Sequence, residues 1–208
     1  MTNKLAYLTI DDSPSLHMAD RVAFLNDHGI QALWFCRGDY LSERPEAAIQ
    51  ALRSGHILGN HSWSHPYFSK LTLEQATFEI DRTDVLLDEL HRQAGVERRV
   101  KVFRFPYEDR IGSDEHHADL QKLLKSRGFA LPRVEGVLDP RFQKHIQDAD
   151  TSVFWTYDSE DWTLLAPGAP DSVERLAKID PSSALFGARA ASYLPAIASM
   201  GPSAESKA

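Results

Sequence analysis

The sequence predicts an α/β fold in which parallel strands alternate with helices that cover them. Three observations support this class: short apolar runs recur along the chain, longer stretches with helical periodicity separate them, and glycine or proline lies at many of the junctions. The repeated order of strand and helix favours a parallel sheet. An open, doubly wound sheet and a closed barrel share this order, so periodicity alone leaves both architectures open.

The first half of the chain predicts three strands and three helices. Apolar runs predict strands over residues 5–10, 32–36 and 57–59, and helices are expected over residues 15–28, 44–53 and 72–94. Ser15 can cap the first helix and Gly29 can end it, whereas Pro45 suits the first turn of the second. Thr72 and Gln75 predict a capping box at the start of the third helix.

The second half predicts further strands and helices, followed by a distinct tail. Strands are expected over residues 100–105, 129–134 and 152–157, and helices over residues 114–127 and 139–148. Residues 1–181 are assigned to one domain, which the length of 208 residues also favours. Residues 182–208 are rich in alanine and serine and predict a divergent C-terminal segment that is partly disordered.

Composition and charge exclude several classes of protein. The formal net charge is -7 and lysine and arginine form no basic run, so a nucleic-acid partner is not expected. No window approaches the roughly 20 apolar residues of a membrane span, and no secretory leader precedes the first strand. A cytoplasmic location is expected for the chain as it stands, or a secreted one if a leader was removed. The single cysteine, Cys36, excludes an intrachain disulfide and fits a small buried apolar side chain.

Two adjacent carboxylates, Asp11 and Asp12, follow the first predicted strand. The carboxyl ends of parallel strands are where α/β folds place their reactive groups. Neighbouring carboxylates repel each other, so both ionise readily only when a cation lies close by. The alternative is a solvated turn in which one of the two caps the following helix.

Two histidines, His61 and His65, follow the third predicted strand. Residues four apart face the same side of a helical turn, so the two imidazoles are expected to point together. Two neutral imidazoles and one carboxylate leave positions on a metal ion open for water and substrate. This set of ligands suits Zn²⁺, and Co²⁺, Ni²⁺ or iron tolerate similar ligands. Surface histidines that bind nothing are the alternative.

Arg104 lies between two phenylalanines at the end of the fourth predicted strand. A guanidinium is costly to bury without a carboxylate partner, and Asp11 is the expected partner. A further segment, residues 155–162, carries two tryptophans and three acidic residues at the end of the sixth predicted strand. Aromatic faces beside carboxylates suit sugar rings. An outward-facing arginine, and core tryptophans among solvated acids, are the respective alternatives.

In this order, the four segments resemble the motifs of the polysaccharide deacetylase family, carbohydrate esterases that remove N- or O-acetyl groups. Residues 9–14, T-I-D-D-S-P, are similar to the family's T-F-D-D-G-P, with serine in place of glycine. Residues 61–65 match H-S/T-x-x-H, residues 104–107 match R-x-P-Y/F, and residues 158–162 match D-x-x-D-W. The resemblance runs from about Leu5 to Trp162, most of the chain.

The resemblance implies a distorted, incomplete, TIM-like (β/α) barrel of about seven strands or fewer, whose last strand the sequence does not define. It also implies that Asp12, His61 and His65 bind a divalent metal, with Zn²⁺ expected and Co²⁺ or Ni²⁺ as alternatives. Asp11 would then be the general base, because a carboxylate that is kept charged can take a proton from the attacking water.

Further residues receive roles from the same resemblance. Arg104 is expected to pair with Asp11 and keep it charged, and the backbone N–H of Tyr107 is expected to stabilise the oxyanion. Asp161 and Trp162 are expected to support the acid side of the site. The residues expected to bind the substrate are Trp63, Tyr107 and Trp162.

The sequence departs from the family at the fifth motif, roughly L-x-x-H on the last strand, which supplies a general-acid histidine. No histidine follows His145, and residues 184–189 offer no replacement. Loss of a general acid typically lowers the rate by about 10²- to 10⁴-fold. Three explanations stay open: an altered C-terminus with weak activity, an acid supplied by another loop or subunit, or a metal-binding relic.

These observations predict a hydrolase that removes acetyl groups from an acetylated carbohydrate or oligosaccharide, by cleaving a C–N bond or an ester. Two alternatives stay open. One is a catalytically impaired carbohydrate-binding protein on the same fold, which the missing histidine favours. The other is a metal-dependent amidase that acts on a non-sugar C–N bond. The sequence predicts neither a nucleic-acid nor a membrane partner and leaves the oligomeric state open.

Overall fold

Parallel strands form the sheets of this computed structural model, which describes residues 5–109, 113–132, 134, 140, 143–144, 150–153 and 189–190. The strands are β1 (Leu5–Ala6), β2 (Leu8–Ser13), β3 (Ala32–Cys36), β4 (Ile57–Asn60) and β5 (Arg189–Ala190). β2, β3 and β4 pair in parallel in that order, and β1 pairs in parallel with β5. Isolated parallel bridges continue the sheet beyond β4 and join Asn60 to Phe103, Lys101 to Phe129, and Phe103 to Ser152.

Helices follow the strands along the chain. They are α1 (Met18–Asp27), α2 (Gly38–Glu43), α3 (Pro45–Arg53), α4 (Leu73–Ala94) and α5 (Asp114–Ser126). Two short 3-10 helices, Phe68–Lys70 and Pro106–Glu108, lie in the connections. The predicted α/β class with a parallel sheet is therefore confirmed. The pairings among the described residues do not close into a ring, so the barrel stays a prediction.

β3 is buried along its whole length, as a strand covered on both faces must be. Trp34 and Cys36 belong to the core that helices α1, α3 and α4 cover. Leu33 and Phe35 alternate with them and pack in a second core with Val102. Cys36 is fully buried, and burial raises the pKa of its thiol, which agrees with its interpretation as a small apolar side chain.

The long helix α4 starts as the sequence predicts. Oγ1 of Thr72 accepts the N–H of Gln75 at 3.2 Å, and Oε1 of Gln75 accepts the N–H of Thr72 at 2.9 Å. The capping box is therefore confirmed, and it satisfies two N–H groups that a helix start leaves without partners.

Buried polar contacts fix α4 against the sheet. The carboxylate of Asp84 lies 3.0 Å from Nζ of Lys101 and 2.6 Å from Nη2 of Arg98. Farther toward the helix start, Nδ2 of Asn60 donates to the carbonyl of Ile80 at 2.9 Å. Since Asn60 ends β4, these bonds set the position of α4 relative to the residues that follow β4.

The first predicted helix begins later than expected, at Met18, and Ser15 does not cap it. The hydroxyl of Ser15 accepts the N–H of His17 at 3.3 Å, and its carbonyl accepts the N–H of Met18 at 3.2 Å. These local bonds form a turn ahead of the helix, because a short polar side chain competes with helical hydrogen bonding. Gly29 does follow the helix end, with φ of +64°.

Other predicted elements differ in extent. α2 was not predicted, and the predicted strand over residues 100–105 is reduced to bridges at Lys101 and Phe103. Among the described residues of the strand predicted over 129–134, pairing is limited to a bridge at Phe129, and Pro132 cannot donate to a strand ladder.

Several predictions fall largely outside the described residues. These are the helix over residues 139–148, the strand over residues 152–157 and the tail over residues 182–208. Within that tail, β5 pairs with β1, and the domain boundary after residue 181 stays a prediction. Among the helices in the described ranges, none has the length and apolar character needed to cross a bilayer.

Acid should destabilise the fold through His56, which is 3% exposed and lies edge-on to Trp34. The N–H of Ala32 donates to Nδ1 of His56 at 3.1 Å, and burial lowers the pKa of His56 below its ordinary 6.5. Since the unfolded state binds the proton more readily, this stabilisation is present above pH 6.5 and is lost as the pH falls toward the lowered pKa. The slope is at most about 1.4 kcal/mol per pH unit for one histidine.

Urea unfolding at several pH values between about 7.5 and 5 measures this dependence. His56→Asn removes one titrating group and should reduce the slope of unfolding free energy against pH, while other buried histidines keep their contributions. His17→Asn, at an exposed helix start, is the matched control. Equal slopes for the parent protein and His56→Asn would contradict the assignment.

Candidate active site

The carboxyl ends of β2, β3 and β4 lie at one edge of the sheet, where several predicted site residues meet. Asp11 and Asp12 lie near the end of β2, and His61 directly follows β4. Parallel strands present their carboxyl ends on the same side, so residues distant in sequence become neighbours there. This edge is the location that the sequence predicts for the reactive groups.

Asp12, His61 and His65 each bring one potential ligand atom into a group whose members all lie within 4.8 Å of one another. Nε2 of His65 lies 3.3 Å from Oδ1 of Asp12, and the two imidazole centroids are 4.9 Å apart. Asp12 has φ of +52°, a left-handed conformation that aspartate tolerates. One carboxylate oxygen and two imidazole nitrogens fit a divalent metal. The structure thus gathers the three predicted ligands, and their role as ligands stays a prediction.

The surroundings of both imidazoles favour the neutral form that metal ligation requires. Nδ1 of His61 lies 2.8 Å from the carbonyl of Arg104, so Nδ1 donates and the lone pair is on Nε2. Burial lowers the pKa of His61, and it lowers the pKa of His65 to about 4 although the Asp12 carboxylate acts in the opposite direction. The charge state of the group therefore fits a divalent cation.

The two histidines lie in a loop, so the helical turn that the sequence predicts for them is wrong. Ser62 and His65 have φ of +66° and +62°. The backbone N–H groups of residues 61–65 donate in turn to Cys36 O, Asn60 Oδ1, Glu79 Oε2 (twice) and Ser62 Oγ. These bonds take the place of helical ones, and they curl the loop so that the two imidazoles approach each other.

Arg104 forms the ion pair that the sequence predicts. Its Nη1 lies 2.7 Å from Oδ1 of Asp11 and 2.8 Å from Oγ1 of Thr9, and its Nε donates to the carbonyl of Val153 at 3.2 Å. Arg104 is 2% exposed, and its guanidinium lies 4.2 Å from the ring centroid of Phe35. The expected carboxylate partner of the buried guanidinium is therefore confirmed as Asp11.

Sequence reasoning missed Arg37, a second cation at this edge. Nη1 of Arg37 lies 4.0 Å from Oδ1 of Asp12, while Nε and Nη2 form a bidentate pair with Asp39 at 3.0 and 2.6 Å. Its guanidinium also lies 4.0 Å from the ring centroid of Tyr40. The available signal was its position directly after β3, at the same edge as Asp12.

Two exposed tyrosines stack on each other beside His65. The ring centroid of Tyr107 lies 4.5 Å from that of His65, and Tyr107 stacks on Tyr67 at 4.1 Å with an interplanar angle of 10°. Tyr67 is 43% and Tyr107 is 53% exposed, so the pair is accessible to a ligand. Sequence reasoning missed Tyr67, although its position two residues after His65 was an available signal.

Trp63, a predicted substrate-binding residue, packs against the protein. The guanidinium of Arg82 lies 3.5 Å from its ring centroid, and the ring fills the space that a Cβ at Gly38 would need. Tyr107 has φ of +58°, and the proposed role of its N–H in holding an oxyanion stays a prediction. Asp161 and Trp162 lie outside the described residues, and their roles stay predictions as well.

The sequence of this chain is similar to that of known proteins. A model described as polysaccharide deacetylase matches residues 1–131 of the chain. A peptidoglycan-N-acetylglucosamine deacetylase from Bacillus cereus is 30% identical over 101 residues, which are 48% of this chain and 35% of that protein. The matched region is thus about a third of that curated relative's length.

Solved structures share the fold. A family 4 carbohydrate esterase from Streptomyces lividans, in complex with acetate, aligns with a TM-score of 0.60 and 22% identity over 95% of this chain and 88% of that one. A pseudoenzyme of the same esterase family from Bacillus anthracis aligns with a TM-score of 0.59 and 17% identity over 97% of this chain and 63% of that one. At these sequence identities, the structural similarity shows only that the chains share a fold.

Arg104→Met should destabilise the protein by roughly 2–4 kcal/mol, somewhat less than a fully buried pair costs, because the Asp11 side chain keeps 28% of its exposure. Arg127→Met is the matched control, because its pair with Asp81 is 39% and 38% exposed and is worth at most about 1 kcal/mol. Urea unfolding measures both variants. Equal losses would show that burial of the Arg104 pair contributes nothing.

Proposed function

Since this chain belongs to the polysaccharide deacetylase family, we propose that it is a metal-dependent hydrolase that removes acetyl groups from an acetylated carbohydrate. The reaction cleaves the C–N bond of an N-acetyl group or the ester bond of an O-acetyl group. One observation carries the proposal: the potential ligand atoms of Asp12, His61 and His65 lie within 4.8 Å of one another, beside the arginine-paired Asp11. The named substrate of the Bacillus cereus relative supports a peptidoglycan or related glycan.

The proposed metal ligands are Asp12, His61 and His65. Their single carboxylate and neutral imidazoles support Zn²⁺, with Co²⁺ or Ni²⁺ as alternatives. When bound, the cation supplies Lewis-acid activation of the attacking water and of the acetyl carbonyl. The protein holds the ligands in place through the bond from His61 to the Arg104 carbonyl and through the curled loop.

Asp11 is the proposed general base. Arg104 donates to Oδ1 of Asp11 at 2.7 Å, which leaves Oδ2 to accept the proton of the attacking water. Oδ2 lies 4.0 Å from Nε2 of His61, so the base and the proposed ligands share one small space. The N–H of Tyr107 is proposed to donate to the oxyanion, a contribution of about 10²- to 10³-fold in rate for a single donor.

Aromatic side chains beside the metal ligands support binding of a sugar. Tyr107, with the stacked Tyr67, offers exposed ring surface next to His65. Trp63 and Trp162 remain proposed substrate-binding residues, and Asp161 with Trp162 is proposed to support the acid side. Acetylated oligosaccharide is therefore the proposed partner.

A second candidate function is a catalytically impaired carbohydrate-binding protein. The supporting observation is that no histidine follows His145, so the family's general acid has no counterpart in this sequence. Acetate release from acetylated chitooligosaccharide or peptidoglycan, with added Zn²⁺ or Co²⁺, distinguishes the enzyme from the binding protein. A panel of small cyclic amides tests the non-sugar amidase.

His61→Ala should sharply lower the metal content, because it removes one of three ligands and the one fixed by the Arg104 carbonyl. Elemental analysis after loading with Zn²⁺ and desalting gives the metal-to-protein ratio. His17→Ala, which changes an exposed histidine, is the control. An unchanged ratio in His61→Ala refutes the ligand assignment.

Asp11→Asn should abolish acetate release while the metal stays bound, because the amide cannot accept a proton as the carboxylate does. Acetate assays and metal analysis on the same preparation separate the two effects. If turnover survives in Asp11→Asn, the base is another group. If the metal is lost with the activity, Asp11 contributes to ligand geometry instead.

A further inference from the structure

Glu79, on α4, binds the middle of the loop that carries the two histidines. Its Oε2 accepts the N–H of Trp63 at 2.9 Å and the N–H of Ser64 at 2.7 Å. Its Oε1 accepts the hydroxyl of Ser64 at 2.8 Å. We propose that Glu79 is a positioning residue that sets the approach of His61 and His65; this inference rests on the proposed metal-dependent function.

The contact has the features of an anion held by backbone amides. Two successive N–H groups point to a single carboxylate oxygen, as they do in the concave anion sites formed by left-handed turns. Ser62, just before them, has φ of +66°. Hydrogen bonds to a carboxylate are shorter and stronger than neutral ones, so this contact can hold a strained loop.

A second set of bonds holds the loop from the opposite side. The N–H of Gly38 donates to the carbonyl of Ser62 at 2.9 Å, and the N–H of Asp39 donates to the carbonyl of Trp63 at 3.0 Å. The start of α2 thus binds the carbonyls of the loop, and Glu79 binds its N–H groups. The α2 contacts come from backbone atoms, whereas a substitution can remove the Glu79 contact.

Two substitutions at Glu79 distinguish the hydrogen bonds that shape the loop from the negative charge of the carboxylate. Glu79→Gln keeps a carbonyl oxygen for the two N–H groups, and its amide nitrogen can donate to the Ser64 hydroxyl, so the loop keeps its curl. Glu79→Ala leaves the N–H groups of Trp63 and Ser64 to water. Residues that orient metal ligands typically change metal affinity by about 10- to 100-fold when they are lost.

Co²⁺ titration followed by visible absorption tests the proposal. Glu79→Ala should bind Co²⁺ at least about tenfold more weakly than the parent and with an altered spectrum, whereas Glu79→Gln should stay within about threefold. Glu74→Ala removes an exposed carboxylate from the same helix and should match the parent. Parent-like affinity and spectrum in Glu79→Ala overturn the proposal, and so does an equal loss in Glu79→Gln.

Amide hydrogen exchange of the metal-free protein gives a readout that does not depend on the metal. The amides of Trp63 and Ser64 should lose protection in Glu79→Ala and keep it in Glu79→Gln. If Glu79→Ala fails to fold, Ser64→Ala removes one of the three bonds and should give a smaller loss of Co²⁺ affinity. A parent protein that binds no Co²⁺ overturns the proposed function, whereas unchanged exchange in Glu79→Ala overturns only the role of Glu79.

Discussion

The ion pair and hydrogen bonds of the buried Arg104 guanidinium are the interactions on which the rest of the site depends. Its side chain binds Thr9 and Asp11 on β2 and the carbonyl of Val153, so it joins three segments that are far apart in the sequence. Its own backbone carbonyl accepts a hydrogen bond from His61. One residue therefore orients both the carboxylate proposed as the base and an imidazole proposed as a ligand. A guanidinium that is 2% exposed is tolerable only because it is paired in this way.

The two adjacent aspartates have different neighbours, and their proposed roles differ accordingly. Asp11 faces the buried Arg104, whereas the more exposed Asp12 lies near His65 and 4.0 Å from Arg37. The repulsion expected between neighbouring carboxylates is thus offset by two arginines, one near each carboxylate. Pairs of ionisable groups in contrasting surroundings are typical of sites that divide acid, base and ligand functions.

Family membership and site geometry support different parts of the functional conclusion. The family match and the solved structures describe the fold, and the described residues bring the proposed ligands, the proposed base and an aromatic surface to one edge of the sheet. The proposed base and the proposed ligands account for the attack by water. An amine leaving group also depends strongly on a proton donor, and no histidine after His145 in this sequence matches the family's acid.

The sequence by itself determined the alternation of strands and helices through α4 apart from α2, the capping box at Thr72, and the pairing of Arg104 with Asp11. Periodicity and caps are local properties of the chain, and a buried guanidinium requires a carboxylate partner. Only the tertiary structure decided how His61 and His65 converge, because their loop is shaped by hydrogen bonds to groups outside it, Glu79 on α4 among them. The positions of Arg37 after β3 and Tyr67 after His65 were sequence signals, but only the structure shows that their side chains contact the site residues. The direction of a loop side chain is set by long-range contacts, and no local sequence pattern reports these.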